Sequence, residues 1–454
     1  MERRYDQRSR YYFSLTTIIG NVLIEIAAPL YIGSLFFARV FPDTPSYVII
    51  ILLAIAAAAY TIPGGLSSVV HTEVIQAILL IIGSIILTYF TLEAVGGWDN
   101  VISVMNEKYS AGDLKNSPDD MLSLIRPMND KNVPWTGLVF GIPILGFYFW
   151  ANNQFMVQRT LSAKNLNHGR WGSLFAGFLK LPVLFIMVLP GTLAIAMPEE
   201  IFPALDNPDL VYPALVFTLL PTVLKGLVLA GLLAAMSSSI SATLNSASTL
   251  VTMDFIKKFN PDMTGKQLVR SGQIATVVFV ILAAIWAPFI ERFDTLFEYL
   301  QKVLVFIAPP VVAAFLLGLF SKRANGTGAF AGFLFAAGFS ILQIIFGTKI
   351  AESLKDVFPN LVLFYEATPT KEAYYDIHFL HIAFILFTLC AAVIYIVSLV
   401  TAPPPAEKIA TMTWKKEIFQ KETEELKALP WYKNYRILSI ILLAVTAVIV
   451  GMYW

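Results

Sequence analysis

The stretch Lys225–Phe255 reads KGLVLAGLLAAMSSSISATLNSASTLVTMDF and decides the class of fold. It belongs to an apolar run over residues 221–255, which exceeds the roughly 17 to 25 residues that a helix needs to cross a bilayer. The run is continuous rather than alternating, and lipid leaves no backbone group unsatisfied outside a helix or a closed barrel. A membrane-spanning helix is therefore predicted here.

Similar apolar runs recur along the chain and predict about eleven spans. They cover residues 12–39, 46–63, 72–94, 135–156, 172–197, 221–255, 267–289, 294–320, 327–347, 376–400 and 434–453. The composition agrees, with 57% hydrophobic and 14% charged residues and a mean hydropathy of +0.69, whereas soluble domains carry about 25% charged residues. We therefore expect an all-α fold, a polytopic bundle of transmembrane helices in one domain over residues 1–454.

Lysine and arginine are concentrated in alternate connections, and this asymmetry predicts the orientation. With the N-terminus in the cytoplasm, 20 of the 32 basic residues lie inside, in residues 1–11, 157–171, 256–270, 322–323 and 401–436. Eleven spans then place the C-terminus outside. The protein itself is expected in the plasma (inner) membrane. Residues 404–433 mix lysine and glutamate with scattered apolar residues, and predict either a cytoplasmic interfacial helix or a solvated linker.

Several functional classes are not expected from this composition. The net charge of +1 leaves no basic surface, so no nucleic-acid partner is expected. A single cysteine, Cys390, and one i, i+3 histidine pair, His378 and His381, give no Cys-based metal cluster and little reason to expect a histidine site. The chain has no HExxH motif, glycine-rich phosphate loop or GxSxG elbow, so an enzyme is not expected.

Polar side chains follow one face of the 221–255 span. They are Ser238, Ser241, Asn245, Ser248 or Thr249, and Thr252, at steps of three and four residues. Two interpretations stay open: small residues that permit close helix packing, or oxygen ligands for a monovalent cation, supplied by hydroxyls and by carbonyls of a locally opened turn. Such a turn is expected at the triple serine, residues 237–239.

The 135–156 span combines helix-breaking residues with aromatic and amide side chains. Its residues Gly141, Pro143 and Gly146 predict a break near mid-membrane. Aromatic rings cover the apolar face of a sugar while amides bond its hydroxyls, so the residues after the break suit a polyhydroxylated solute. These residues include Phe149, Trp150, Asn153 and Gln154. An aromatic belt at the membrane interface is the alternative.

Three more polar residues lie within predicted spans, and each is a candidate because polar groups in a membrane are costly. They are Glu25 near the middle of the first span, Lys180 in the 172–197 span, and Gln301 near the outer end of the 294–320 span. Snorkelling explains the neighbouring Lys302 more easily than Lys180. Glu25 is expected to be protonated or paired.

Four motifs in these regions resemble the sodium:solute symporter family, and specifically its sodium/sugar cotransporter branch. They are YTIPGGLSSVVHTEVIQ (Tyr60–Gln76), NNQFMVQRTLSAKN (Asn152–Asn165), AAMSSSISATLNSASTLVTMDF (Ala234–Phe255) and GLFSKRANGTGAFAG (Gly318–Gly332). The resemblance implies a transporter domain with an inverted-repeat fold and alternating access. The first motif implies a cytoplasmic turn at its Gly-Gly-Leu.

The resemblance also implies roles for residues. A sodium site would use the carbonyls of Ala235 and Ser238 and the hydroxyls of Ser238 and Ser239. A possible second sodium would use Glu73, Ser238 and Ser241, weakened here by Ala242 in place of a serine. Lys180 and Gln301 would contact or support the solute. Phe149 would form the inner gate, where sugar-transporting members tend to have tyrosine, and Glu25 stands where one such member has asparagine.

At its start, the segment ERRYDQR resembles the E-x-R-F segment that follows the family's third helix, so about three N-terminal helices, including the first broken helix, are expected to be absent. Two hypotheses follow. The chain is a sodium-coupled symporter of a small polar solute, a sugar, with sodium as coupling ion and no other cofactor. Alternatively, it is a truncated, non-transporting fragment or a membrane sensor.

Overall fold

The computed structural model describes residues 1–453 except 115, 129, 131, 203, 204, 206, 358–363 and 368–373. It also leaves undescribed the side chains of residues 60, 63–72, 348, 352, 354–357, 364–367 and 374–376. Helices dominate the part of the chain that is described, as the apolar runs predict.

The α-helices follow one another along the whole chain. In order they are α1 (Gln7–Gly20), α2 (Ala27–Val40), α3 (Ser46–Ala94), α4 (Trp98–Ala111), α5 (Pro118–Leu122), α6 (Trp135–Phe140), α7 (Ile142–Phe147), α8 (Gln154–Leu161), α9 (Leu166–Val183), α10 (Leu189–Leu193), α11 (Val211–Leu219), α12 (Thr222–Leu250), α13 (Lys257–Phe259), α14 (Gly265–Trp286), α15 (Leu296–Phe320), α16 (Gly326–Val357), α17 (Phe379–Val400), α18 (Ala406–Met412), α19 (Lys416–Lys427) and α20 (Tyr435–Met452).

Three kinds of minor element complete the described part of the fold. π-helical turns lie at Asn21–Ile26, Tyr148–Asn152, Leu184–Val188 and Val251–Ile256. Short 3-10 segments lie at Ala194–Ala196, Pro208–Leu210, Ala287–Arg292 and Trp431–Lys433. Between α16 and α17, β1 (Phe364–Ala367) and β2 (Tyr374–Ile377) pair antiparallel, with Phe364 opposite Ile377.

Among the described residues, nine helical stretches are long and apolar enough to cross a membrane. They are Gln7–Val40, Glu73–Ala94, Leu166–Ala196, Thr222–Phe259, Gly265–Arg292, Leu296–Phe320, Gly326–Gly347, Phe379–Val400 and Tyr435–Met452. All nine overlap predicted spans. The multi-pass membrane class is thereby confirmed, and the count is roughly that expected.

The two remaining predicted spans differ from the others. The first, 46–63, contains only a shorter apolar helix, Ser46–Ala59. The second, 135–156, is divided into α6, α7 and a π-helical turn. One division falls at Gly141, where a Cβ would lie 2.9 Å from the carbonyl carbon of Leu380 on α17. Close approach of two backbones therefore requires glycine at this break.

The backbone of α3 is helical from Ser46 to Ala94, but the chain reverses its direction within this range. Leu53, in the first half of α3, packs on Gly33. Ser84, in the second half, has its hydroxyl 3.4 Å from that of Tyr212. The ring of Tyr212 in turn packs edge-on against Phe36. A straight helix would separate Leu53 and Ser84 by about 46 Å, at 1.5 Å per residue. Since Gly33 and Phe36 are one turn apart, the chain must reverse between the two halves of α3.

Helix α12 lies at the centre of the bundle. It packs against both halves of α3, and also against α2, α14 and the π-helical turn Asn21–Ile26. Its buried Leu244 and Ala247 join Ile26, Ala54 and Ala283 in one core cluster. Small side chains at such contacts let helices approach closely, which van der Waals packing in a membrane protein requires.

Candidate functional site

The hydroxyl-rich face of α12 points into the bundle. Ser238 is 8% exposed, and Ser241, Thr243 and Ser246 are fully buried. The prediction of an opened turn at residues 237–239 is wrong: α12 stays a regular α-helix there, and widens to a π-helix only at Val251. Serine and threonine hydroxyls bond the helix's own carbonyls without breaking it, as Thr243 does to the Ser239 carbonyl at 2.8 Å.

Glu73 reaches this face from the second half of α3. Its Oε1 accepts a hydrogen bond from the Ser238 hydroxyl at 2.9 Å. The guanidinium of Arg159, on α8, donates to both carboxylate oxygens, from Nε at 3.2 Å and from Nη2 at 2.5 Å. The two side chains are only 21% and 24% exposed. The structure thus joins two residues of the possible second sodium site, Glu73 and Ser238, and adds a cation to them.

Arg159 is held from its other side by its own helix. Its Nη1 donates to the Phe155 carbonyl at 2.8 Å, and its guanidinium carbon lies 5.3 Å from the centre of the Phe155 ring. Such a planar, forked donor is suited to bidentate contact with a carboxylate. The orientation of Arg159 is therefore fixed by two residues, Glu73 on α3 and Phe155 on α8.

Two further contacts tie neighbouring helices to the same face of α12. Thr61, on the first half of α3, has its hydroxyl 2.6 Å from that of Ser241. Gln158, on α8, donates to the Ala242 carbonyl at 3.4 Å. The serine face of α12 is therefore bounded by both halves of α3 and by α8.

Asn153 marks the second break in the 135–156 segment. It stands in extended conformation before α8, and its Oδ1 accepts the Phe155 amide at 3.3 Å as an N-cap. Its Nδ2 donates to Oε1 of Glu25 at 3.5 Å. Glu25 lies in the π-helical turn Asn21–Ile26 of the first span. Two interrupted segments therefore meet through one amide and one carboxylate.

Lys180 lies beside the aromatic pair of the same segment. Its Nζ is 5.7 Å from the ring centre of Phe149 and 5.6 Å from that of Trp150. The two rings meet edge-on at 5.8 Å, and Phe149 also meets Phe155 edge-on at 5.8 Å. Such placement over aromatic faces stabilises an ammonium. Phe149, Trp150 and Lys180, all predicted from the sequence to serve a solute site, are thus brought together.

The remaining candidate residues are Gln154, Gln301, Ala235 and Ser239. Gln154 lines a cavity of about 540 Å³ together with Arg10 and Asp254. Gln301, on α15, shows no hydrogen bond to any other candidate within the described residues. Ala235 and Ser239 are partly buried on α12.

Three residues of the site were not predicted from the sequence: Arg159, Gln158 and Thr61. The first two lie in the motif Asn152–Asn165, directly after a predicted break. Side chains that follow a break are well placed to turn into the bundle, and this is the signal that could have identified them.

The sodium:solute symporter family matches residues 1–336. Relatives include sodium/glucose cotransporter 4 of Danio rerio, 31% identical over 94% of this chain and 66% of the relative. The sodium/mannose cotransporter SLC5A10 of Bos taurus is 32% identical over 91% of this chain and 71% of the relative. Sodium/myo-inositol cotransporter 2 of Bos taurus is 32% identical over 87% and 60%. The chain thus spans about two thirds of the length of these relatives.

Among solved structures, the fold resembles that of a Na+-coupled sialic acid symporter in a substrate-bound outward-open state. The TM-score is 0.66 at 21% sequence identity, over 88% of this chain and 76% of that chain. This similarity concerns the fold alone. The family's members are transporters rather than enzymes, which agrees with the motifs absent from the sequence. On the family match and these relatives, the chain belongs to the sodium:solute symporter family.

Proposed function

We propose that this chain is a sodium-coupled secondary symporter of a small polyhydroxylated solute, a sugar or sugar-like polyol, working by alternating access. One observation carries the proposal: the buried hydroxyl face of α12 lies in a membrane bundle beside a segment broken at Asn153. Hydroxyls and backbone carbonyls suit a hard monovalent cation, and broken segments expose backbone groups to a ligand. The names of the sugar and inositol relatives support the solute class.

In this mechanism, sodium occupies oxygen ligands of Ala235, Ser238 and Ser239, and is the coupling ion without any further cofactor. Of these residues, Ser238 is buried, and Ala235 and Ser239 are partly buried on α12. A membrane potential of about 100 mV supplies roughly 2.3 kcal/mol per sodium charge. Inward sodium flow therefore drives accumulation of the solute even with one ion.

The solute site is assigned to Glu25, Asn153, Phe149, Trp150 and Lys180. The aromatic rings cover apolar faces of a sugar ring, and the amide, carboxylate and ammonium bond its hydroxyls. Gln154 and Gln301 are likewise assigned to the solute site or its gate, as the resemblance implies. The partners are accordingly sodium, the solute and the lipid bilayer.

For the topology, we propose a cytoplasmic N-terminus and an external C-terminus in the plasma membrane. Contacts support this arrangement. The Leu124 amide donates to the Tyr453 carbonyl at 2.7 Å, joining two segments assigned to the outside. Arg10 donates to the Asp254 carbonyl at 3.3 Å, joining two assigned to the inside. Helices α18 and α19 lie within residues 404–433 and are proposed to rest at the cytoplasmic interface.

The test is solute uptake into proteoliposomes containing the full chain. Uptake of glucose, mannose and myo-inositol is compared under inward gradients of sodium, potassium and choline. We expect sodium-dependent uptake that Ser239→Ala abolishes and Ser248→Ala preserves. Ser248 is the matched control because it is a buried serine of α12 whose hydroxyl bonds within its own helix, to the Asn245 carbonyl at 3.2 Å. Uptake that is indifferent to sodium would contradict the proposal.

A further inference from the structure

A cavity of about 470 Å³ lies between two neighbouring spans, the one that begins with α9 and the one formed by α20. The two spans run in parallel. Near their starts, the Trp171 indole donates to the Lys433 carbonyl at 3.0 Å. Further along, the rings of Phe185 and Tyr453, which both line the cavity, lie 6.0 Å apart. Since Tyr453 directly follows α20, the cavity lies at the end of the bundle where that helix ends.

The walls of this cavity are for the most part apolar. One wall is the π-helical turn Leu184–Val188 with Leu189 beyond it, and another is formed by residues 121–124 of the connection between α4 and α6. Val188 is 55% exposed and Trp98 is 39% exposed, so the cavity opens on the surface of the bundle. None of the described residues of α20 is buried, which places this helix at the periphery. The opening is therefore within reach of lipid acyl chains.

Arg126 supplies the one charge among the lining residues that the structure describes. Its Nη2 donates to the Met121 carbonyl at 3.0 Å, and the Trp135 amide donates to the carbonyl of Arg126 at 3.1 Å. In the described part of the chain, no carboxylate forms an ion pair with this arginine. A guanidinium can present two parallel N–H donors to a phosphate. The cavity therefore combines apolar walls with a binding group for one phosphate.

These two properties together select the class of ligand. Inorganic phosphate would leave the apolar walls facing water, and an uncharged apolar molecule would leave Arg126 without a counter-ion. A phospholipid covers the walls with an acyl chain and places its phosphate on the arginine. The volume lies within the roughly 300–1,000 Å³ of small-molecule sites, and Trp98 and Tyr453 are residue types enriched where headgroups meet the hydrocarbon core. A lipid with a net negative charge balances the arginine better than a zwitterionic one.

From these contacts we propose that this cavity binds one anionic phospholipid, with its phosphate on Arg126 and one acyl chain against the turn Leu184–Val188. The site is separate from the serine face of α12, and the inference does not depend on the proposed function. The lipid would join α20 to this turn, which begins four residues after Lys180. The Thr88 hydroxyl donates to the Ile186 carbonyl at 3.0 Å, so the turn is already tied to α3 on another side.

The first test is native mass spectrometry of the delipidated full chain in a neutral detergent. It is titrated with phosphatidylglycerol and with phosphatidylcholine of the same acyl chains. We expect one phosphatidylglycerol per chain to bind at least about tenfold more tightly than phosphatidylcholine, because it pairs with a cation that has no other counter-ion. Arg126→Gln should remove this preference, and Arg126→Lys should keep part of it. Arg39→Gln is the control, since Arg39 is an exposed arginine at the end of α2 that does not line the cavity.

A second measurement locates the acyl chain. Phosphatidylglycerol with a photoreactive group in its acyl chain should label residues 184–192, and Val188→Trp should abolish this labelling by filling the cavity mouth while leaving Arg126 unchanged. This variant decides the matter if Arg126→Gln fails to fold. Equal affinity of the wild type for both lipids, unchanged affinity in a folded Arg126→Gln, or labelling spread evenly over the peripheral helices would overturn the inference. A dimer in detergent that Val188→Trp dissociates would also overturn it, because a second copy then covers the cavity.

Discussion

The hydroxyl of Tyr299 donates a hydrogen bond to the carbonyl of Leu23 at 2.6 Å, across the bundle from α15 to the first span. Leu23 belongs to the π-helical turn Asn21–Ile26, where the helix's own bonding pattern is altered. The same hydroxyl accepts from the Trp286 indole at 2.7 Å. Tyr299 is fully buried, so it fixes the turn that carries Glu25.

Replacing Tyr299 by Phe should therefore destabilise the protein. The change leaves a partly buried carbonyl and a partly buried indole without this partner, which costs about 1–3 kcal/mol. The expected result is a lower midpoint of thermal unfolding in detergent, and tryptophan fluorescence measures this unfolding. Tyr395→Phe is the control, since Tyr395 is 44% exposed. Equal midpoints for the two variants would show that the bond to Leu23 contributes nothing.

The glycines of the broken segment should differ sharply in their tolerance of alanine. At Gly141, a Cβ would meet the carbonyl carbon of Leu380 at 2.9 Å, and a backbone carbonyl cannot move aside. We expect Gly141→Ala to lose about 1–3 kcal/mol of stability through overpacking. At Gly146 a Cβ would meet nothing within 4 Å, so Gly146→Ala should gain up to about 1 kcal/mol from helix propensity. Chemical denaturation of both variants in detergent measures the difference, and a stable Gly141→Ala would contradict the packing described.

Replacing the carboxyl group of Glu25 by an amide should weaken solute binding. The carboxyl is assigned to the solute, and a buried hydrogen-bonding group left without its partner costs about 1–3 kcal/mol. Since 1.4 kcal/mol is a factor of about ten, we expect Glu25→Gln to raise the KM of uptake about tenfold. Glu298→Gln is the control, because Glu298 pairs with Lys302 four residues along its own helix. An unchanged KM for Glu25→Gln would remove Glu25 from the solute site.

The attachment of α19 should depend on pH through Glu422. Burial by itself would raise the pKa of Glu422, but hydrogen bonds from Arg436 and Tyr435 and the charge of Arg170 hold it below its ordinary value of 4.5. A carboxyl whose pKa is lowered on folding adds stability above its unfolded pKa and loses it as the pH falls through the folded one.

The measurement is the midpoint of thermal unfolding of wild type and Glu422→Gln between about pH 7 and pH 3. We expect the wild type to be more stable at neutral pH, with a difference that shrinks as the pH falls below 4.5. Glu417→Gln, on the same helix, controls for general acid effects. A difference that stays constant over this range would exclude Glu422 as its source.

The spans were predictable because a continuous apolar run has few alternatives in a membrane. The exceptions have physical causes. Residues 135–156 are apolar enough, but Gly141 and Asn153 interrupt their helix, and hydropathy does not register such interruptions. For α3 the apolar runs 46–63 and 72–94 predicted two separate segments, and the contacts with Gly33 and near Phe36 show the reversal between them, although the backbone is helical throughout.

The site was predictable only in part. Ser238, Glu73 and the aromatic segment were found from polar residues in spans and from motifs. Arg159 was missed because it lies in a connection counted as cytoplasmic charge, and sequence does not say whether a basic side chain faces water or turns inward. The opened turn at residues 237–239 was expected because a monovalent cation would take carbonyl as well as hydroxyl oxygens as ligands, yet α12 stays a regular α-helix there.

The reversal within α3 has a mechanical consequence for α12. Thr61, in the first half of α3, is hydrogen-bonded to Ser241. Glu73, in the second half, is hydrogen-bonded to Ser238, one helical turn away along α12. A tilt of α12 in either direction would therefore strain both hydrogen bonds at once, so we expect α12 and the two halves of α3 to move as one rigid body. Helix α8 contacts this body through its side chains at Glu73 and Ala242, while its backbone follows the extended residue Asn153, so we expect the hinge to lie at Asn153.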